Sequence, residues 1–517
     1  MGDQVQRRGG TAAENDAFTG AAREITVDTT RKSTRVHDGS TPGGTRQLGE
    51  AQLRNVDTQA QLVALAPGAS EQVYVRGRVT NGDGGQGVFV WDPANRSSEV
   101  AADGGAWEWV APASATNGAS GAWRRLTYPT LTADRTVAVP SEYATLQAAV
   151  DAQSKWPVAQ GTTLSINIES GHALLSGLLV QDGDYGHLQI VSEDAEVPVV
   201  GGFSGKVMES VNARAPKWAC VVDLAASPNS DGLHINNAST GFVAEGAGVK
   251  NGSRGLHVSN GSTCYADDSV FTGFAQAGIH LSRSANCQFS GADVSGCSTG
   301  GGNFGALYAS RSSTGHGTGV DASNSGSVAV RAQRGAVLNV PGVVVSGAGQ
   351  VVGSSPAFNA TLGGSIYTGS DSPVALGLKG PLLSAQNGSV VSLGTVTVTN
   401  SESFSGVAVE VRAARLDATL TISGYTGNVV FALQAAQVDI RGSSIDGGNN
   451  LILCEQGAMV SARSTAFANA SANAISVQRG GQVVANDSTV DTDPIAPADT
   501  NVAAFNAIDG GRGIIWA

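Results

Sequence analysis

A right-handed parallel β-helix over residues 134–490 is the fold class that the sequence predicts, and three observations predict it. A six-residue pattern recurs at a fixed step, the alternation inside each copy has period two, and small residues abound. The copies are Gly232-Leu-His-Ile-Asn-Asn, Gly255-Leu-His-Val-Ser-Asn and Gly278-Ile-His-Leu-Ser-Arg, spaced by 23 residues twice, with a degenerate fourth at Leu307-Tyr-Ala-Ser-Arg-Ser. Seven places after each histidine, and after Tyr308, stand Gly241, Cys264, Cys287 and Gly315. Apolar residues carry this ladder on as Val337, Ile366, Val390, Leu416, Val438, Val460 and Val483. Insertions on a base step of 22–23 residues fit in loops without disturbing the step. Within a unit, Ile279 and Leu281 face one way and His280 and Ser282 the other, which is strand periodicity and excludes a helical solenoid. With 69 Gly and only 14% charged residues, the chain suits short strands, frequent turns and buried ladders of small side chains. Coils stack at about 4.8 Å, so eleven recognisable rungs make a rod on the order of 50 Å long.

The elements follow in chain order. Residues 1–50 form a small unit in which Glu24–Lys32 and Thr34–Gly39 read as a hairpin of alternating strands. A unit this small holds no core alone and must oligomerise or dock. Residues 51–133 read as a compact β-rich domain around Val73–Val79 and Val88–Asp92. It holds four of the seven tryptophans: Trp91, Trp107, Trp109 and Trp123. The β-helix opens with an amphipathic segment carrying Leu146, Ala149 and Val150 at i, i+3 and i+4, with Thr145 as its N-cap, so a short helix is expected to cover the first coil. Residues 491–517 break the step, contain Pro494 and Pro497 and end in Ile514-Ile-Trp-Ala, which predicts a cap or a subunit contact.

Composition excludes several function classes. A net charge of −12 argues against nucleic acid or an anionic membrane as partner. The first thirty residues mix acids and bases without an apolar run, so neither a secretory signal nor a membrane span is expected, and synthesis is placed in the cytoplasm. Cys220, Cys264, Cys287, Cys297 and Cys454 are odd in number and lack CxxC spacing, so core thiols are expected rather than disulfides or a zinc site. No cofactor is implied.

Three stretches carry a likeness to a known family. Arg7–Gly39 (Arg-Arg-Gly, Ala-Phe-Thr-Gly, Glu-Ile-Thr-Val-Asp, Arg-Val-His-Asp-Gly) resembles the N-terminal domain shared by phage tail fibres and tropism determinants. Gly82–Asp92 and Trp123-Arg-Arg-Leu are similar to the glycine-rich linking domain ahead of many tailspike β-helices, and Ser141–Ala152 to the opening helix of pectate-lyase-like spikes. The resemblance implies a homotrimeric spike or fibre on a phage or a phage-like particle such as a gene transfer agent. Its N-terminal domain would anchor to a structural protein of the particle, and its β-helix would meet host surface polysaccharide. An expected absence of a signal peptide fits that reading better than a secreted lyase or a bacterial adhesin.

The candidate site is an outward ladder of His234, His257, His280 and Tyr308, with Asn237, Asn260, Arg283 and Arg311 beside it. Imidazole, phenol, amide and guanidinium along one face suit the hydroxyls and carboxylates of a glycan. The plainer reading of the same ladder, and the one that weighs more, is of side chains that stack to stabilise the rungs or line a subunit contact. Glu245 and Asp268 take equivalent positions on adjacent rungs, with Asp267 and Asp293 close in register, and such a pair suits glycoside hydrolysis as acid and base. Lyase chemistry would use Arg283 with His257 or His280. Aromatics make up 5% of the chain and cluster outside the β-helix, so sugar-stacking platforms are expected to be sparse. The preferred expectation is adhesion to a surface glycan, with a capsule or lipopolysaccharide depolymerase next and a structural decoration third.

Overall fold

The computed structural model describes residues 8–31, 33–47, 54–66, 72–103, 106–300, 304–349, 355–369, 371–490, 508–509 and 514–516. The chain divides into two compact units, 1–130 and 131–517.

In the first unit, the expected hairpin is present as Ile25–Asp28 antiparallel to Ser33–Val36, flanked by the strands Arg8–Gly10 and Thr45–Gln47. A helix, Ala12–Ala17, starts at Thr11 through a capping box with Glu14. The interior of this module is polar: Asn15, Thr26, Asp28, Arg35 and His37 are buried. Arg35 donates to the Gly43 carbonyl at 2.9 Å and pairs with Asp16 and Asp28, while Asp28 also accepts from the backbone of Thr30 and Arg31. A second sheet of Arg54–Val56, Gln72–Val75, Gly87–Asp92, Ala122–Arg125 and Trp109–Val110 holds an apolar core of Val56, Leu62, Val73, Val75, Phe89, Trp91, Val110 and Trp123. Trp91 and Trp123 meet edge to face at 5.4 Å. Trp107 lies beneath the Arg78 guanidinium, so two of the four expected tryptophans form the core.

The second unit is a parallel β-helix of about 13 turns, as the 23-residue repeat predicts. Its opening helix, Leu146–Gln153, buries Leu146, Ala149 and Val150, and the Thr145 hydroxyl accepts from the Ala148 amide at 3.2 Å. From there each coil hydrogen-bonds to its two neighbours. On one face Leu233, Leu256, Ile279, Leu307 and Val330 stack in register; on the next Gly241, Cys264, Cys287, Gly315, Leu338, Ile366, Val391 and Leu416 do so. The stacking residues on two rungs are therefore Leu338 and Val391, one place beyond the expected Val337 and Val390. All five cysteines are buried and unbonded. Strands lengthen in the later coils, where Val390–Phe404, Arg415–Tyr425, Ser444–Cys454 and Ala466–Gln478 each run through two faces. Glycine is demanded where coils touch backbone to backbone: a Cβ on Gly248 (φ +154°) would lie 1.9 Å from the Val270 carbonyl oxygen.

The corner after the histidine-bearing strands repeats most strictly. Asp182, Asn212, Asn237, Asn260, Arg283, Arg311, Arg334, Leu362, Asn387, Ala413, Gln434, Gln456 and Arg479 all have φ between +46° and +57°. Each corner is a left-handed residue at one fixed place on its coil. The Asn-Gly pairs at 260–261 and 387–388 are two of them, both residues left-handed. At the C-terminus, Ile514–Trp516 pairs with Gln482–Val484 as a further rung; Pro494 and Pro497 lie outside the described residues.

Candidate functional site

The expected ladder forms one continuous column. His234, His257, His280 and Tyr308 pair in register on successive strands, followed by Arg331 and preceded by Glu209. The three imidazoles stack nearly parallel, at 4.4 and 4.5 Å, and Tyr308 continues the stack at 4.6 Å from His280. Phe304 closes over the lower end, edge to face with both His280 and Tyr308. The column forms the floor of a cleft of ≈ 330 Å³ whose rim includes Asn236, Asn260, Arg283, Arg311, Gln333 and Arg334. The amide lining the cleft on the first coil is thus Asn236; Asn237 stands at the corner, where its Oδ1 accepts from Asn260.

Hydrogen bonds fix His257 as a neutral ring, while His234 Nδ1 faces the Glu209 carboxylate at 3.3 Å. Arg254, held by Asp231 at 2.6 Å, approaches His257 Nδ1 at 3.4 Å, which makes that nitrogen the acceptor and leaves Nε2–H for Ser282 at 3.1 Å. The Ser259 hydroxyl donates to Asn236 and so accepts from His234 Nε2 at 2.9 Å. Burial, with nearby Lys206 adding to it, pushes the His234 pKa down to about 4, and burial with nearby Arg254 pushes His280 down to about 3. His257, between them, is also pushed down, by burial first and by the neighbouring imidazoles next. Such rings are weak proton acceptors at neutral pH, and because they stack face to face they turn their edges to the cleft.

The rim is cationic. Arg283 touches Asn260 Oδ1 at 3.4 Å, and neither it, Arg311 nor Arg334 makes an ion pair among the described residues. Arg331 is half-buried beneath the rim, with its guanidinium 5.9 Å from the Tyr308 ring centre and burial lowering its pKa.

Glu245, Asp267 and Asp268 share a different cleft, of ≈ 480 Å³, with Arg214, Lys217, Phe242 and Tyr265. Phe242 and Tyr265 stack there at 5.2 Å and 13°, an aromatic platform inside the β-helix where few were expected. The carboxyls are not level: the left-handed corner falls at Gly246 on one coil and at Asp268 on the next, and the Gly246 amide donates to the Asp268 carbonyl. Glu245 therefore sits one step ahead of Asp268 instead of beside it. Asp267 is tied to Gln288 and to the Ser290 amide, and Asp293 to the Ser295 amide of its own turn. Glu245 and Asp268 are exposed.

Arg331, Arg334, Gln333 and Phe304 were not singled out from the sequence. The coil of Arg331, Gln333 and Arg334 lacks the Gly-x-His pattern and is reached only by the register through Tyr308, and Phe304 lies on the connection before the Tyr308 strand. The Phe242–Tyr265 stack did leave a signal, since the two rings are one 23-residue step apart.

Comparison with known proteins identifies the first module. Residues 5–41 match the major tropism determinant N-terminal domain. The chain is also 61% identical over 44 residues to the tail fiber receptor-binding protein of Bordetella phage BPP-1, a match covering 8% of this chain and 12% of that protein. Among solved structures, the tailspike of Acinetobacter phage vb_AbaP_AS12 aligns with a TM-score of 0.37 at 12% identity over 85% of this chain and 74% of its own. A tailspike of Acinetobacter baumannii bacteriophage Fri1, a capsular polysaccharide depolymerase, aligns at 0.31 and 11% identity over 90% and 75%. At these scores the fold rests on the strand register described above. Downstream of its tropism-determinant domain the chain is therefore characterised by its own geometry. Among the described residues, no helix is long and apolar enough to cross a membrane, and no group of histidine, cysteine and carboxylate side chains is arranged to hold a metal.

Proposed function

We propose that this chain is the receptor-binding spike of a phage or phage-like particle and attaches it to host surface polysaccharide. The observation that carries the reading is the His234–His257–His280–Tyr308 column, which floors an open cleft with stacked flat rings and rims it with amide and guanidinium groups. The rim offers donors to the hydroxyls and carboxylates of a glycan, above a floor of ring edges. The tropism-determinant domain supports anchorage to a structural protein of the particle, and its polar interior supports assembly with further copies, three by resemblance. The low basicity of the histidines supports holding a glycan over abstracting a proton from it.

A second reading, depolymerase activity, is favoured by the stacked Phe242–Tyr265 platform beside Glu245 and Asp268. One experiment separates the two. The full chain is incubated with capsule and lipopolysaccharide from a panel of hosts, and both retention and glycan chain length are read. Retention at unchanged length is the expected result. Shortened chains would replace adhesion by cleavage, and Glu245→Gln and Asp268→Asn would then abolish the shortening if that pair performs it. If no glycan is retained or shortened, both readings fall.

A further inference from the structure

Resting on the adhesion reading, we infer that the glycan is acidic, and that Arg283, Arg311 and Arg334 read its negative charges one coil at a time. All three arginines occupy the left-handed corner, with φ of +56°, +56° and +55°. In that region the Cβ crowds the following carbonyl, and glycine, asparagine and aspartate are the residues that enter it readily. The sequence obeys this rule on the coils just upstream, at Asn212, Asn237 and Asn260, and again downstream at Asn387. From Arg283 onward most corners depart from it, with Leu362, Ala413, Gln434, Gln456 and Arg479 further along, but only Arg283, Arg311 and Arg334 place a cation on three consecutive coils that border the cleft. An asparagine suits such a corner because it bonds its neighbours, as Asn260 does to Asn236 at 2.7 Å.

The charges are also unspent. Arg311 and Arg334 are exposed and make no ion pair among the described residues, in a chain whose net charge is −12. Several other cations of the β-helix are paired: Lys206 with Glu209, Lys250 with Glu196, Arg254 with Asp231 and Arg412 with Glu410. Neighbouring coils stand about 4.8 Å apart, close to the length of one sugar in an extended chain. An array of guanidinium groups at that pitch fits a polymer carrying carboxylate or phosphate along its length, laid parallel to the stacked rings.

The test uses the host polysaccharides that retain the full chain. Each is compared with its carboxyl-reduced form and with its dephosphorylated form. Retention is expected to fall about tenfold or more when the relevant acid is neutralised, and the arm that shows the fall tells carboxylate from phosphate. The triple variant R283N/R311N/R334N is expected to lose retention to the same extent while its thermal midpoint stays level or rises, since asparagine suits the corner. Undiminished retention of both neutralised forms, or undiminished retention by the folded variant, overturns the inference and leaves adhesion standing. Failure to retain any native polysaccharide removes the adhesion reading itself.

Discussion

At a left-handed corner, an arginine carries a steric cost that an asparagine escapes, because a short amide can bond the local backbone where a long alkyl stem cannot. Arg311 bears that cost with φ at +56° and no ion pair among the described residues to offset it. Arg311→Asn is therefore expected to stabilise the β-helix, by about 1 kcal/mol or less, while weakening glycan retention. Urea midpoints of wild type and variant check the first part. A lower midpoint for the variant would mean that the guanidinium has a structural partner after all. Residue-scale features of this kind were half legible in the sequence. Asn260, Arg283 and Arg311 stand three places after a ladder residue and could be named from spacing, whereas Arg334 follows Arg331, which breaks the histidine–tyrosine series. The same limit explains the one-place offsets at Leu338 and Val391. Both sit in apolar pairs, Val337-Leu338 and Val390-Val391, where hydropathy does not say which member faces inward, and only strand pairing decides.

The histidine stack is an element with its own pH dependence. Its folded-state pKa values are depressed, to about 4 for His234 and about 3 for His280, from an ordinary value of 6.5, and His257 is lowered too. Above the unfolded value neither state binds these protons, and stability is unaffected. As pH falls below 6.5 the unfolded chain takes up protons that the folded stack refuses, so stability declines until the folded values are reached. Three rings acting together set a limiting slope of about 4 kcal/mol per pH unit. Denaturation midpoints measured between neutral pH and about pH 4 are thus expected to drop, and the variant His257→Gln to drop less steeply. Equal slopes would show that the central ring accepts a proton in the folded state. The stack itself was legible because Gly-x-His recurs at an unbroken 23-residue step. Its burial was not, since the sequence gives no sign that Phe304, on the connection before the next strand, folds against His280.

Over the whole molecule, the coil is the unit that the sequence repeats and the structure stacks. Repeat architectures contact only their neighbours, so stability is close to a sum of coil and interface contributions. The polar interior of the N-terminal module lies outside this logic. Its buried Thr26, Asp28, Arg35 and His37 follow no hydropathy pattern, and a hairpin was all that alternation could predict there. In the β-helix, by contrast, arithmetic on the sequence becomes a structural operation. Arg254 pairs with Ala277, one step of 23 residues. Deleting residues 254–276 joins Ser253 to Ala277 and lays the strand Ala277–Ser282 directly on Asp231–Asn236, where Leu233 meets Ile279, and His234 meets His280. Apolar faces and the imidazole column are both preserved, one coil shorter. The deletion protein is expected to fold, to keep the circular-dichroism spectrum of a β-helix and to melt cooperatively at a modestly lower temperature. It would retain glycan more weakly, because one ring and one rim residue are gone. Deleting only residues 254–265 removes about half a coil, strands open edges without partners and is expected to yield aggregate. If both deletions folded equally well, register between coils would not be what holds this molecule together.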